Sequence, residues 1–157
     1  MKKSPGHPSS DPIGSAQRET APTLTMTYHL EMTRKPTYLH VIVTGQNTKE
    51  NILKYLEEIR RECLSCKCTR VLVEERLDGP RFSTMDVFET ADKGSMGAVG
   101  VFDAFAYVDV HAVGNSIHFA ETVARNRGVP MRAFPTVTAA EGWLLEDVRA
   151  DDAPKGS

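Results

Sequence analysis

The chain has 157 residues, 40% of them hydrophobic, and its 19 basic and 21 acidic residues leave a formal net charge of -2. This length suits one domain, and the near balance of charge does not favour nucleic acid as a partner. No apolar stretch is long enough to span a bilayer, and no apolar segment of a secretory signal follows the first lysines, so we expect a cytoplasmic protein.

Both ends of the chain contain few of the large apolar residues that form a core. Residues 1–25 are rich in Ser, Pro, Gly and Thr. Such a segment cannot bury enough apolar surface to offset its ordering entropy, so we predict a disordered tail. Residues 147–157 are mostly polar and are predicted to fray. The folded α/β domain is therefore predicted over residues 26–146.

The first predicted elements are a hairpin and a helix. Residues 27–32 alternate in polarity, and residues 38–44 are apolar and β-branched up to Gly45. These patterns predict two strands that pair as a hairpin. A helix capped at Asn47 is predicted next, and four residues share its apolar face: Ile52, Leu56, Ile59 and Cys63.

Strands and helices alternate through the rest of the chain. Strands are predicted at 71–73, 104–110 and 131–134, and helices at 83–94, 115–127 and from Thr138 onward. The order β-β-α-β-α-β-α-β-α predicts an α/β fold in which helices flank a mostly parallel sheet. The initial hairpin adds an antiparallel edge.

Several motifs resemble those of a known family. Residues 124–128 read Ala-Arg-Asn-Arg-Gly and close a helix, and Phe134 precedes Ala-Glu-Gly-Trp-Leu at 140–144. With the strand that ends at Gly45, these motifs resemble the SpoIIAA-like branch of the STAS superfamily, also described as STAS/SEC14-like. The resemblance covers residues 26–146. It implies a regulatory or binding module, as in anti-sigma factor antagonists and transporter-linked STAS domains.

The resemblance also implies a phosphorylation site. STAS switch residues are a Ser or Thr at the start of the helix after the third strand, which makes Ser83 and Thr84 the candidates here. They lie in Arg-Phe-Ser-Thr-Met-Asp rather than in the family's Asp-Ser-x-Gly pattern. A helix N-terminus tolerates a phosphate, but N-capping alone also explains a hydroxyl at this position.

Soft apolar side chains follow these hydroxyls. The predicted binding surface consists of Met85, Phe88, Met96 and Phe102, beside the glycine-rich residues 94–100. Methionine and phenylalanine suit adaptable binding of a partner or an apolar ligand. The alternative is that they form the buried face of an ordinary covering helix.

Three closely spaced cysteines form a separate candidate site. The chain has an odd number of cysteines, namely Cys63, Cys66 and Cys68, and this fits a reducing compartment better than a disulfide framework. Their spacing could chelate a metal, but zinc usually takes four ligands and no second pair is present. Cys63 also lies on an apolar helix face and is read as core. The cluster leaves a thiol- or metal-dependent protein as the alternative function.

Asp109, His111 and Ser116 include the residue types of a catalytic triad. No Gly-x-Ser-x-Gly elbow accompanies them. A capping Asn115 and an exposed His111 explain the same residues, so a catalytic role is the less favoured interpretation.

Glu74 and Glu75, with Asp78, follow the short apolar run 71–73. Neighbouring carboxylates could bind a cation or act as acid and base. Because neighbours on a strand point to opposite faces, a solvated loop is the favoured interpretation.

The sequence therefore predicts a non-catalytic, STAS-like binding or regulatory module without a cofactor. Its predicted partner is a protein or a small apolar ligand such as a lipid. An enzyme is less favoured because no convincing catalytic set is present. A homodimer through the edge strand 26–32 is a further prediction, since an unpaired edge can pair with another chain.

Overall fold

A computed structural model describes residues 27–152, with side chains described through residue 146. Its elements are β1 (Tyr28–Arg34), β2 (Leu39–Gln46), α1 (Lys49–Cys66), β3 (Arg70–Asp78), α2 (Thr84–Met96), β4 (Ala104–Asp109), α3 (Ser116–Asn126), β5 (Met131–Ala133) and α4 (Val137–Asp152). This order confirms the predicted α/β fold class. Helix α4 continues past residue 146. The predicted tail 1–25 and residues 153–157 lie outside the described residues.

The five strands form one sheet in the order β1-β2-β3-β4-β5. β1 pairs antiparallel with β2, which confirms the hairpin, and the other neighbours pair parallel. Parallel neighbours joined by right-handed crossovers place their connecting helices on one face of the sheet. Helices α1, α2 and α3 therefore share one face, and α4 covers part of the other.

The main core lies on the face shared by α1, α2 and α3. The buried residues of α1 on this face are Ile52, Tyr55, Ile59 and Cys63, and they pack over the strand residues Val41, Val43, Val71 and Val73. The alternate strand residues face α4 and form a smaller core with Ala140 and Leu144. Within residues 27–152, no helix combines the length and apolarity needed to cross a bilayer.

Strand β3 is longer than its apolar run predicts. It continues to Asp78 because Glu74 and Glu75 pair in register with Ile42 and Val43 of β2. Glu74 is 4% exposed and Glu75 is 2% exposed. The prediction of a solvated loop at these two residues is therefore wrong, since pairing on both sides keeps the charged residues inside the sheet.

Helices α1 and α4 begin at caps shifted from the predicted ones, whereas α3 keeps Asn115 as its N-cap residue. Helix α1 is capped by Thr48, whose Oγ1 accepts from the Asn51 N–H at 3.1 Å, and not by Asn47. Asn115 precedes α3 without a side-chain capping hydrogen bond. Helix α4 begins before Thr138, and Thr136 Oγ1 accepts from the Ala139 N–H. At the starts of α1 and α4 a neighbouring threonine takes the capping role, so spacing alone did not select the capping residue.

Candidate functional site

Helix α2 covers a cavity on the face that it shares with α1 and α3. The helix packs mainly against α1 and α3, and residues of both α2 and the sheet line the space between them. The cavity has a volume of about 380 Å³. That size lies near the lower end of the range of roughly 300–1,000 Å³ for small-molecule sites.

The cavity exists because the inward face of α2 carries small side chains. The inward residues Val87, Thr90, Ala91, Gly94 and Ser95 all line it. The hydroxyls of Thr90 and Ser95 donate to carbonyls one turn earlier in the helix, at 2.7 Å each. These polar groups are thereby satisfied, and the inner surface of the helix is short and largely apolar.

The larger apolar residues of α2 point outward instead. Met85 is 62% exposed, Met96 is 74% exposed and Phe88 is 37% exposed. Phe102, the fourth residue of the predicted binding surface, is buried, packs edge-on against Phe105 at 5.2 Å between ring centroids, and lines the cavity. The four residues therefore occupy two environments, one outside α2 and one beneath it.

A buried carboxyl group lies on the sheet side of the cavity. Glu75 of β3 points to the face of α1, and the Tyr55 hydroxyl donates to its Oε2. Tyr107 of β4 also hydrogen-bonds to Glu75. We call Glu75, Tyr55, Tyr107, Asp109 and Arg81 the buried acid cluster, and all five line the cavity.

Burial dominates the electrostatics of Glu75. Desolvation raises the pKa of Glu75 from 4.5 to about 7, although hydrogen bonds from Tyr55 and Tyr107 act in the opposite direction. The parallel register places Asp109 beside Glu75, and its charge raises the Glu75 pKa further. Burial also holds the pKa values of both tyrosines well above 10. The cluster therefore holds a proton near neutral pH.

Arg81 supplies the positive charge of the cluster and is already engaged. Its guanidinium donates to the carbonyls of Leu77 and Gly79 at 3.0 and 3.1 Å. It also pairs with Asp109 at 3.4 Å. The other carboxylate oxygen of Asp109 accepts from the His111 N–H at 2.8 Å. Arg81 and Asp109 thus offset each other's charge, and Glu75 is left without a dedicated counter-ion.

The structure does not assemble Asp109, His111 and Ser116 into a triad. The His111 ring lies 3.5 Å from Asp78, and the Asp109 carboxylate accepts from the His111 backbone rather than from its ring. Ser116 Oγ donates to the Val113 carbonyl. These contacts contain no hydrogen-bonded path from carboxylate through imidazole to hydroxyl.

The cysteines are three free thiols in separate environments. Cys63 is buried, whereas Cys66 and Cys68 are partly buried. Cys68 Sγ lies 3.1 Å from the Arg70 carbonyl, and desolvation raises the pKa of Cys63 to about 12. Among the residues that the structure describes, no group of three or more His, Cys, Asp or Glu side chains is arranged to hold a metal ion.

Ser83 and Thr84 lie where α2 begins. Ser83 Oγ accepts from the Asp86 N–H at 3.1 Å and lies 3.0 Å from the Asp86 carboxylate. Ser83 is thus the N-cap, and Thr84 is the exposed first residue of the helix. A phosphate on Ser83 would replace the capping hydroxyl and would lie close to the Asp86 carboxylate. Phosphorylation of Ser83 or Thr84 remains a prediction.

Glu74 lies on the opposite face of the sheet from Glu75. It is paired with Arg76 and with His40, whose Nε2 is 3.1 Å from Glu74 Oε1. The adjacent carboxylates therefore have different surroundings, because Glu74 has an arginine and a histidine as partners and Glu75 faces the cavity.

No sequence motif indicated that Tyr55, Tyr107 and Glu75 would meet. One available signal was alternation: Glu75 continues the inward positions Val71 and Val73, so an extended strand would bury it. Tyr55 is likewise three residues after Ile52 on the buried face of α1. That Tyr107 reaches the same point depends on the register of β4 against β3.

No protein-family model and no curated protein matches the chain. Among solved structures, the chain is similar to an uncharacterized protein of the DUF3478 family with a SpoIIAA-like fold from Shewanella loihica PV-4. The two share 17% sequence identity over 74% of this chain and 93% of that chain, with a TM-score of 0.44.

Proposed function

We propose that this domain is a non-catalytic binding module that holds a small apolar ligand in the cavity beneath α2. The observation that carries the proposal is the orientation of α2: its small residues face inward over a space of about 380 Å³, and its large apolar residues face outward. Ordinary covering helices turn their large apolar residues inward and fill such a space. A concave, mostly apolar site with a few polar groups suits a small ligand.

Neither the cysteines nor the triad residues supply an equally coherent site. The Cys63 thiol is buried with a raised pKa, which disfavours the reactive thiolate. Asp109 is paired with Arg81 rather than with the ring of His111. A binding module accounts for the cavity without assigning chemistry to these residues.

The first test is native mass spectrometry of the protein purified gently from its own cells. The proposal predicts an added mass of lipid size that organic extraction removes. A stoichiometric zinc ion would support the metal alternative, and a co-purifying protein would favour the exposed Met85, Phe88 and Met96 as the working surface.

The second test fills the cavity. Ala91→Phe on α2 and Ala120→Phe on α3 each place an aromatic ring in the cavity lining. Both should abolish binding of decanol measured by calorimetry, while circular dichroism confirms that the variants fold. Met85→Phe is the matched control because it adds the same ring on the exposed side of α2. Binding that survives both fillings would contradict a ligand beneath α2.

A further inference from the structure

The buried acid cluster makes one end of the cavity chemically different from the rest. Its floor carries the Glu75 carboxyl and the hydroxyls of Tyr55 and Tyr107, whereas the walls contributed by α2 and α3 are mainly small and apolar. An apolar ligand alone would leave this polar end without a partner from the ligand. The shape and chemistry together indicate a ligand with one polar terminus.

The charges at this end determine which terminus fits. Glu75 and Asp109 are neighbours in register, and Arg81 is the cation beside them. Arg81 is bound to two carbonyls and to Asp109, so its charge is largely offset. An anionic terminus at this end would therefore face the Glu75 carboxyl, and the cluster has no second cation to receive it. Two further cations, Arg60, which is paired with Glu57, and Lys93, line the cavity outside the cluster.

We propose that the cavity takes an apolar amine, with its ammonium group donating to Glu75 between Tyr55 and Tyr107. This inference rests on the proposed function, because it names the chemical class of the ligand in the same cavity. A protonated amine offers donors to a carboxylate that otherwise lacks a dedicated counter-ion. The hydroxyl oxygens of Tyr55 and Tyr107, which both lie at Glu75, can accept further hydrogen bonds from the ammonium group. A hydrogen bond between charged partners is also the strongest kind available there.

The experiment compares three probes that share one chain and differ only in the terminus: decylamine, decanol and decanoate. Calorimetry on the wild-type protein should show decylamine binding about tenfold more tightly than decanol, because a charge-assisted hydrogen bond is roughly twice as strong as the neutral one that decanol can make. Decanoate should bind more weakly than decanol. Equal affinity for decylamine and decanol, with both blocked by Ala91→Phe, would overturn the amine inference while leaving the proposed function intact.

Proton release supplies a readout that simple apolar binding would not produce. Burial holds the pKa of Glu75 at about 7, so at that pH a fraction of the groups is protonated. An ammonium group favours the carboxylate and should displace protons, which calorimetry detects as a dependence of the heat on the buffer's ionisation enthalpy. Decanol should show no such dependence. Binding of decylamine without proton release at pH about 7 would contradict contact with Glu75.

Two adjacent carboxylates provide matched variants. Glu75→Gln should remove the preference for decylamine over decanol. Glu74→Gln is the control, because Glu74 lies on the other face of the sheet beside His40 and Arg76. Loss of the amine preference in both variants would refute a specific role for Glu75. Failure of every probe to bind the wild-type protein would instead refute the proposed function itself.

Discussion

Replacing Glu75 with glutamine is expected to remove most of the pH dependence of stability between about pH 5 and pH 8. Glu75 is 2% exposed, and desolvation is the largest cause of its raised pKa. The groups that face it are Tyr55 from α1, Tyr107 and Asp109 from β4, and Arg81 from the segment before α2. Of these, Arg81 and the tyrosines favour the carboxylate, but burial outweighs them.

The expected magnitude follows from the pKa of Glu75 in the folded and unfolded states. Folding raises that pKa from 4.5 to about 7. The folded state therefore binds the proton more tightly, and the resulting stability is present at low pH and lost as pH rises through about 7. At about 1.4 kcal/mol per pKa unit, the whole effect is about 3 kcal/mol. Most of that loss falls between about pH 5 and pH 8.

Urea unfolding followed by circular dichroism at several pH values would measure the free energy of unfolding. The wild-type value should fall with rising pH more steeply than the Glu75→Gln value, by about 2–3 kcal/mol over that range. Glu31→Gln is the control, since Glu31 is exposed on β1 and should leave the wild-type slope nearly unchanged. Parallel profiles for wild type and Glu75→Gln would refute a proton held by buried Glu75.

Three further predictions concern local structure. Ser83→Ala should lower the free energy of unfolding by about 1 kcal/mol, because the Asp86 N–H loses its capping acceptor; an unchanged urea midpoint would contradict the cap. Gly45→Ala should lower the free energy of unfolding by about 2 kcal/mol or more, since φ is +127° and the added Cβ would lie 2.3 Å from the Thr27 carbonyl oxygen. A melting temperature close to the wild-type value would contradict this clash. Cys63 should react last of the three thiols with a disulfide reagent, because it is buried and its pKa is raised to about 12; mass mapping of early labelling at Cys63 would disprove this.

Local patterns predicted the α/β framework because they follow from periodicity and turn residues. The apolar stripe of α1 placed Ile52, Ile59 and Cys63 in the core, as the structure confirms. For helix α2 the pattern left two interpretations of Met85 and Phe88, a binding surface or a buried face, and both residues are exposed in the structure. The helix meets α1 and α3 rather than lying flat on the sheet, and that placement depends on neighbours distant in sequence.

The sequence by itself determined the order of strands and helices, the initial hairpin and the mostly parallel sheet. The alternation of polar and apolar residues and the helical spacing of apolar residues are local properties, so they can be recognised from the sequence without the fold. Only the tertiary structure brought Glu75, Tyr55 and Tyr107 together and left a cavity over them. Strand register and helix placement decide which side chains meet across the chain. These contacts bury the Glu75 carboxyl, although the adjacent residues Glu74 and Glu75 indicated a solvated loop from the sequence alone.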